Sequence, residues 1–202
     1  MACRSNTEEA LLTNPHIWKY GSVRGSRPAA LPSGFTALDD WLDGGWPGAA
    51  ITELLLTAQG IGELRLLLPA LQALPQQLCW INPPYIPYAP ALAGHGLDLS
   101  RLLLVRPESA ADALWAMDQA LRSQACVAVL GWFSQLNRQA VRRLQVVAES
   151  AGCPGFIFRH ARFARHDSAA PLRIRVAATA GGLQLDILRN RYGKAGSLRL
   201  SC

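Results

Sequence analysis

Ile51-Thr52-Glu53-Leu54-Leu55-Leu56-Thr57-Ala58-Gln59-Gly60-Ile61-Gly62-Glu63-Leu64 is an apolar run of strand length followed by a glycine-bearing turn, and it leads into the apolar, helix-forming segment Leu64 to Leu74. Strand, glycine-rich turn and helix is the setting of a phosphate-binding loop. A working loop of that kind reads GxxxxGK[ST]: backbone N–H groups wrap the phosphates, the Lys neutralises charge and the hydroxyl holds magnesium. Aligned on Gly62, the first Gly falls on Thr57, the Lys on Glu63 and the hydroxyl on Leu64. A carboxylate repels a polyphosphate, and a Leu offers no oxygen to a hard cation. Thr57, Gly60, Gly62, Glu63 and Leu64 are therefore expected to form a relic loop that binds no cofactor. Glu63 is expected to be a solvated carboxylate favoured by the helix dipole, by roughly a few tenths of a kcal/mol.

Outward from this stretch the pattern alternates. Strands are expected at 50–56, 78–82, 102–105, 126–130 and 155–159, with helices at 61–74, 109–123 and 134–150 and a short one ending near 95. Such alternation predicts an α/β fold with a mostly parallel sheet flanked by helices on both faces. Near-continuous apolar strands such as Cys126-Val127-Ala128-Val129-Leu130 fit a sheet covered on both sides. Leu172 to Val176 and Leu183 to Leu188 alternate around Gly181-Gly182 and predict an antiparallel hairpin closing one sheet edge. Ser33 to Leu42 predicts a short helix stopped by Gly44-Gly45 and Pro47. Residues 1–32, rich in Pro, Gly, Ser and Arg, are expected to be an extended N-terminal arm, and 33–202 a single domain.

Half of the 202 residues are apolar, enough to bury a sizeable core. No apolar run approaches membrane-span length, and Glu8, Glu9, Asn14 and Pro15 do not fit a signal peptide, so a cytoplasmic protein without membrane contact is expected. Cys3, Cys79, Cys126, Cys153 and Cys202 are scattered and odd in number, which predicts neither a disulfide framework nor a metal site. Cys79 and Cys126 read as small buried hydrophobes. His16, His95, His160 and His166 have no acid or nucleophile at motif spacing and read as loop residues, while Asp39, Asp40 and Asp43 read as a charged outer face. No catalytic constellation emerges.

The net charge of +6 is unevenly spread: residues 1–133 hold eight basic and eleven acidic side chains, residues 134–202 twelve basic and three acidic. Within this basic third, Gln135 to Val147 places Leu136, Ala140, Leu144 and Val147 on one helix face and Arg138, Arg142 and Gln145 on another. Arg159-His160-Ala161-Arg162-Phe163-Ala164-Arg165 interleaves Arg with Phe163, a composition suited to phosphate contacts and base stacking. Arg173 and Arg175, on one strand face, with Arg189, Arg191, Lys194 and Arg199, would extend the positive surface. The DNA-binding candidates are thus Arg138, Arg142, Arg159, Arg162, Phe163, Arg165, Arg189 and Arg191. Protein-interface candidates are Tyr85, Ile86 and Tyr88 in a Pro-rich connection, Trp46, and Trp18 and Tyr20 in the arm.

Leu31-Pro32-Ser33-Gly34-Phe35, Leu38-Asp39, Gly44-Gly45, Gly48 and Glu53, in this order, resemble the RecA-type ATPase core. More narrowly, Trp80-Ile81-Asn82-Pro83-Pro84, Gly96-Leu97-Asp98, Arg101 to Arg106 and Leu188-Arg189-Asn190-Arg191 resemble the bacterial SulA/ImuA group. The resemblance implies a RecA-like domain whose ATPase residues have been lost, because the catalytic Glu falls near Pro84 and the metal-side Asp on Leu130 or Gly131. Not an enzyme is the expectation. In RecA-like proteins the region of Arg159 to Arg165 contributes to DNA-binding loops.

Within that group the LPSGF region and the hairpin ending in Arg-Asn-Arg look like ImuA, the accessory protein of SOS-induced translesion synthesis. That likeness implies assembly with ImuB, an inactive Y-family polymerase homologue, and with an alternative replicative-type polymerase, and more weakly contact with RecA and single-stranded DNA. The alternative is a SulA-type cell-division inhibitor that binds FtsZ and blocks its polymerisation. Self-association through the N-terminal segment and nucleotide binding without hydrolysis also stay open.

Overall fold

The computed structural model describes residues 29–201. Trp18 and Tyr20, with most of the expected arm, lie outside the described residues. At its end, β1 (Ala30–Leu31) pairs antiparallel with β2 (Trp46–Pro47), which fastens the entry to the domain. Gly45, one of the two glycines of the GG pair, sits at φ 131°, where a Cβ would lie 2.2 Å from the Leu31 carbonyl oxygen. Only glycine fits this close approach.

The main sheet contains β3 (Ile51–Leu56), β4 (Gln77–Ile81), β5 (Leu102–Val105), β6 (Cys126–Trp132), β7 (Gly155–His160), β8 (Leu172–Thr179), β9 (Gly182–Asn190) and β10 (Gly196–Leu200). Their order across the sheet is β10-β9-β8-β3-β7-β6-β4-β5. From β5 through β8 every neighbouring pair is parallel, whereas β8 with β9 and β9 with β10 are antiparallel. The expected α/β class and largely parallel sheet are therefore present. β3 is buried at every residue, as a central strand covered on both faces must be.

The hairpin β8–β9 forms, but it does not close the edge. Asn190 Oδ1 accepts from the Tyr192 and Gly193 N–H groups at 3.0 Å, a side-chain turn that returns the chain to add β10 outside it.

Two apolar layers sandwich the sheet. One face carries Leu54, Trp80, Phe156 and Ile174 beneath α1 (Thr36–Leu42), α2 (Leu68–Gln72) and α3 (Ala89–Gly94). The other carries Ile51, Val129 and Ile157 beneath α4 (Ala110–Arg122) and α5 (Arg138–Ala151).

The single helix expected over 61–74 is split into a 3-10 turn at Glu63–Leu66 and α2. Pro69 has no N–H to continue an upstream helix and fits the first turn of a new one. α5 starts at Arg138 because Asn137 Oδ1 accepts the Ala140 N–H at 2.8 Å, and it stops at Gly152, φ 67°.

Asp118 ties the two helices of the second face together. Its carboxylate accepts from Arg122 Nε at 2.7 Å within α4 and from Arg143 Nε at 2.9 Å on α5. Burial pushes its carboxyl up, but the hydrogen bonds and charges of the two guanidinium groups outweigh this and leave it below the usual carboxylate range. A folded-state value below the unfolded one contributes stability that is present above about pH 4 and is lost as pH falls through the folded value. Asp118→Asn should therefore cost about 1–2 kcal/mol at neutral pH, the partners being half exposed. Urea denaturation should show that cost shrinking as pH falls below the ordinary carboxylate range, about pH 4.

Candidate functional site

The carboxyl ends of β3, β4, β6 and β7 surround a cleft of about 450 Å³, lined among others by Gln59, Asn82, Pro84, Trp132, Arg159 and Arg162. Sheets of this kind place their crevices outside the carboxyl ends of the strands. The glycine-bearing turn after β3 forms one wall through Ala58 and Gln59. Gly60 and Gly62 hold φ of 72° and 92°, so the turn keeps its glycine-dependent backbone. Glu63 is not the solvated carboxylate expected: it is buried and turned back toward the Gly60 N–H, 3.4 Å from Oε1. Leu64 packs on the core beneath α1 and α2.

Under the opposite wall lies a buried ionic cluster. Glu53 in β3 is fully buried and is paired at once with Arg159 of β7, 2.6 Å, and Arg173 of β8, 2.5 Å. Arg159 also donates to the Leu136 carbonyl at 3.0 Å, and Arg173 to the carbonyls of Phe163 and Ala164. One carboxylate against two guanidinium groups leaves a net positive charge held in low dielectric. The cluster pins the 3-10 turn Ala161–Arg165 against the sheet.

This packing corrects several sequence expectations. Arg159 and Arg173 serve as internal cations and are not free for phosphate. Phe163 is buried, with the guanidinium groups of Arg159 and Arg162 4.3 and 4.9 Å from its ring centre, so its faces are taken and it is no base-stacking platform. Gln145 turns inward to accept the Ile51 N–H at 2.8 Å instead of joining the basic stripe of α5. Arg173 and Arg175 share one face of β8, but Arg173 is buried against Glu53 whereas Arg175 is exposed and paired with Asp186. Trp46, an interface candidate, is fully buried and packs edge-on to Phe156 at 5.7 Å. Asp39 is not simply an outer-face charge, because it accepts the Ser33 N–H at 2.8 Å. The remaining basic candidates are spread widely. Arg162, Arg165, Arg142 and Arg191 are exposed, Arg138 pairs with Asp167 at 2.9 Å, and Arg189 donates to the Ser168 carbonyl.

The apolar candidates after β4 are exposed: Tyr85 65 %, Ile86 76 % and Tyr88 72 %. They follow Asn82, which sits at φ 55° and donates to the Trp132 carbonyl at 3.1 Å, fixing where the connection leaves the sheet. The Asn82 N–H donates to the Val105 carbonyl, so the exposed segment departs beside the end of edge strand β5. Leu103 and Leu104 of that edge are also exposed, as is Trp115 on α4. Sequence reasoning missed these three. A Leu-Leu-Leu-Val run reads as a buried strand, and only its place at the sheet edge reveals otherwise. Edge and connection together form an apolar corner, with exposed aromatic and aliphatic side chains of the kind that protein interfaces use.

Among the described residues no group of His, Cys, Asp and Glu could hold a metal ion, and no helix is long and apolar enough to cross a membrane.

A family model described as cell division inhibitor SulA matches residues 49–155. A cell division inhibitor SulA from Yersinia enterocolitica is 30% identical over 112 residues, 54% of this chain and 67% of that protein. The Klebsiella aerogenes protein of the same name is 35% identical over 101 residues, 48% of this chain and 60% of that protein. A crystal structure of SulA from Pseudomonas aeruginosa aligns with a TM-score of 0.47 and 29% identity, covering 55% of this chain and 98% of that chain.

Proposed function

Because the chain belongs to the SulA family, we propose that it is a cytoplasmic, SOS-linked cell-division inhibitor that binds FtsZ and blocks its polymerisation. The observation that carries the reading is the apolar corner, since Tyr85, Ile86, Tyr88, Leu103 and Leu104 all fall inside the matched segment 49–155 and all are exposed. The mode of action is stoichiometric binding without catalysis. Glu63 and Leu64 stand where a phosphate-binding loop would need Lys and a hydroxyl, and Leu130 and Gly131 offer no metal-side carboxylate. The strand order from β5 to β8 and the relic loop at the end of β3 support descent from a RecA-like core, with residues 33–202 as one domain.

Replacing Tyr85, Ile86 and Tyr88 together by Ala should weaken FtsZ binding by roughly 30-fold or more, because exposed aromatic anchors carry most interface energy. Biolayer interferometry with purified FtsZ measures this, and unchanged affinity would move the interface elsewhere.

A second reading, an ImuA-like accessory protein of translesion synthesis, is favoured by one feature. β8, β9, β10 and most of the basic C-terminal third lie beyond residue 155, outside the matched segment. On that reading the chain assembles with an ImuB-like Y-family polymerase homologue and an alternative replicative-type polymerase, with RecA, and with single-stranded DNA through Arg162, Arg165, Arg142 and Arg191. Capture by immobilised ImuB with no FtsZ contact would favour it over the first.

A further inference from the structure

The cleft at the carboxyl ends of β3, β4, β6 and β7 holds none of the exposed Tyr85, Ile86 and Tyr88 side chains in its walls, and FtsZ binding at the apolar corner gives it no role. Its walls carry donors and positive charge in excess. Among the described residues that line it there is no Asp or Glu, whereas Arg159, Arg162 and His160 are all present. Behind the wall the Glu53 carboxylate is divided between Arg159 Nη1 and Arg173 Nε, so two guanidinium groups share one negative charge. Two buried donors of lining residues, Arg159 Nε and Trp132 Nε1, have no hydrogen-bond partner among the described residues. Arg159 is 5 % and Trp132 7 % exposed. Buried donors are nearly always paired, so a surplus of them points to an acceptor that the protein does not supply.

The rest of the lining is apolar and rigid. Trp132 stacks on Phe158 with ring centres 4.5 Å apart and planes at 11°, and Trp80 braces it at 5.8 Å. Pro83 and Pro84 continue this wall. Such a preformed surface loses little freedom when a flat apolar body is laid against it.

We propose that the cleft binds an aromatic carboxylate, a flat apolar ring body carrying a single negative charge. The ring packs against the Trp132 and proline wall. The carboxylate accepts from Arg162, in the field of the Arg159 and Arg173 pair. Arg162 is exposed, and its backbone N–H donates to His160 Nδ1 at 3.0 Å. That contact leaves the proton of the neutral His160 ring on Nε2, a second donor beside Arg162. A phosphate ester is the poorer guest. In the turn that would wrap phosphate oxygens, the buried Glu63 carboxylate already faces the Gly60 N–H at 3.4 Å and repels a dianion. A volume of about 450 Å³ has room for a body of one or two fused rings.

The test titrates the full chain with naphthoate, followed by isothermal calorimetry and by NMR of the indole N–H signals. A probe of roughly thirteen heavy atoms should bind with a Kd of about 1 mM or tighter. The indole signal that Trp132→Phe removes should be the one that moves. Arg162→Ala, at an exposed position that leaves the fold in place, should weaken binding about tenfold. The neutral naphthamide should bind the unmodified chain about tenfold more weakly than the acid. No heat and no signal change at about 10 mM naphthoate, equal affinity for the amide, an Arg162→Ala variant that binds as tightly as its parent, or tighter binding of naphthyl phosphate would each overturn the assignment.

Discussion

Glu53→Ala should destabilise the domain by about 3–5 kcal/mol, the cost of leaving buried charge uncompensated. Two guanidinium groups depend on this one carboxylate, and both lie within a few per cent of full burial. Arg173 also holds the turn Ala161–Arg165 through the Phe163 and Ala164 carbonyls, so loss of its carboxylate partner should reach that turn. The loss should appear as a lower urea midpoint and as faster hydrogen exchange in residues 161–165. Glu53→Ala combined with Arg159→Ala should cost less than the sum of the single changes, since the second removes part of the charge that the first strands. Strict additivity would mean that the cluster contributes no electrostatic coupling.

Trp46→Ala should cost about 3–5 kcal/mol for a different reason, the cavity left by a large apolar side chain. Trp46 is fully buried, packs edge-on to Phe156 and pairs with Leu31 across β1–β2. Its loss should loosen the entry to the domain along with the core. Trp46→Phe keeps most of the contact and should recover much of the stability. An effect below about 1 kcal/mol for Trp46→Ala would place this ring at the surface after all.

Strands β3 to β7 were legible in the sequence because each is an apolar run bounded by turn residues; the start of α5, expected at 134, lies instead at Arg138, where the Asn137 side chain accepts the Ala140 N–H. The break at Pro69 was hidden inside a leucine-rich stretch whose periodicity continues across it. β10 was not legible, since Gly196 to Leu200 is short and half exposed, and its place depends on the turn that Asn190 builds. The site was harder to read than the fold. A lone Glu53 in a strand gives no sign of its partners, which lie 106 and 120 positions away and meet it only through the parallel register of β3 with β7 and β8. Arginines that look like a DNA-binding run by composition divide into two buried structural cations and a few exposed ones. Tyr85, Ile86 and Tyr88 were readable because prolines on both sides make burial awkward. Leu103 and Leu104 were not, because edge position is a property of the whole sheet.

Sedimentation of FtsZ polymers formed with GTP, in the presence and absence of this chain, tests the proposed function most directly. Inhibitor at a concentration equal to FtsZ should leave FtsZ in the supernatant, and the variant with Tyr85, Ile86 and Tyr88 replaced by Ala should restore the pellet. Full FtsZ assembly in the presence of the folded, unmodified chain would contradict the account.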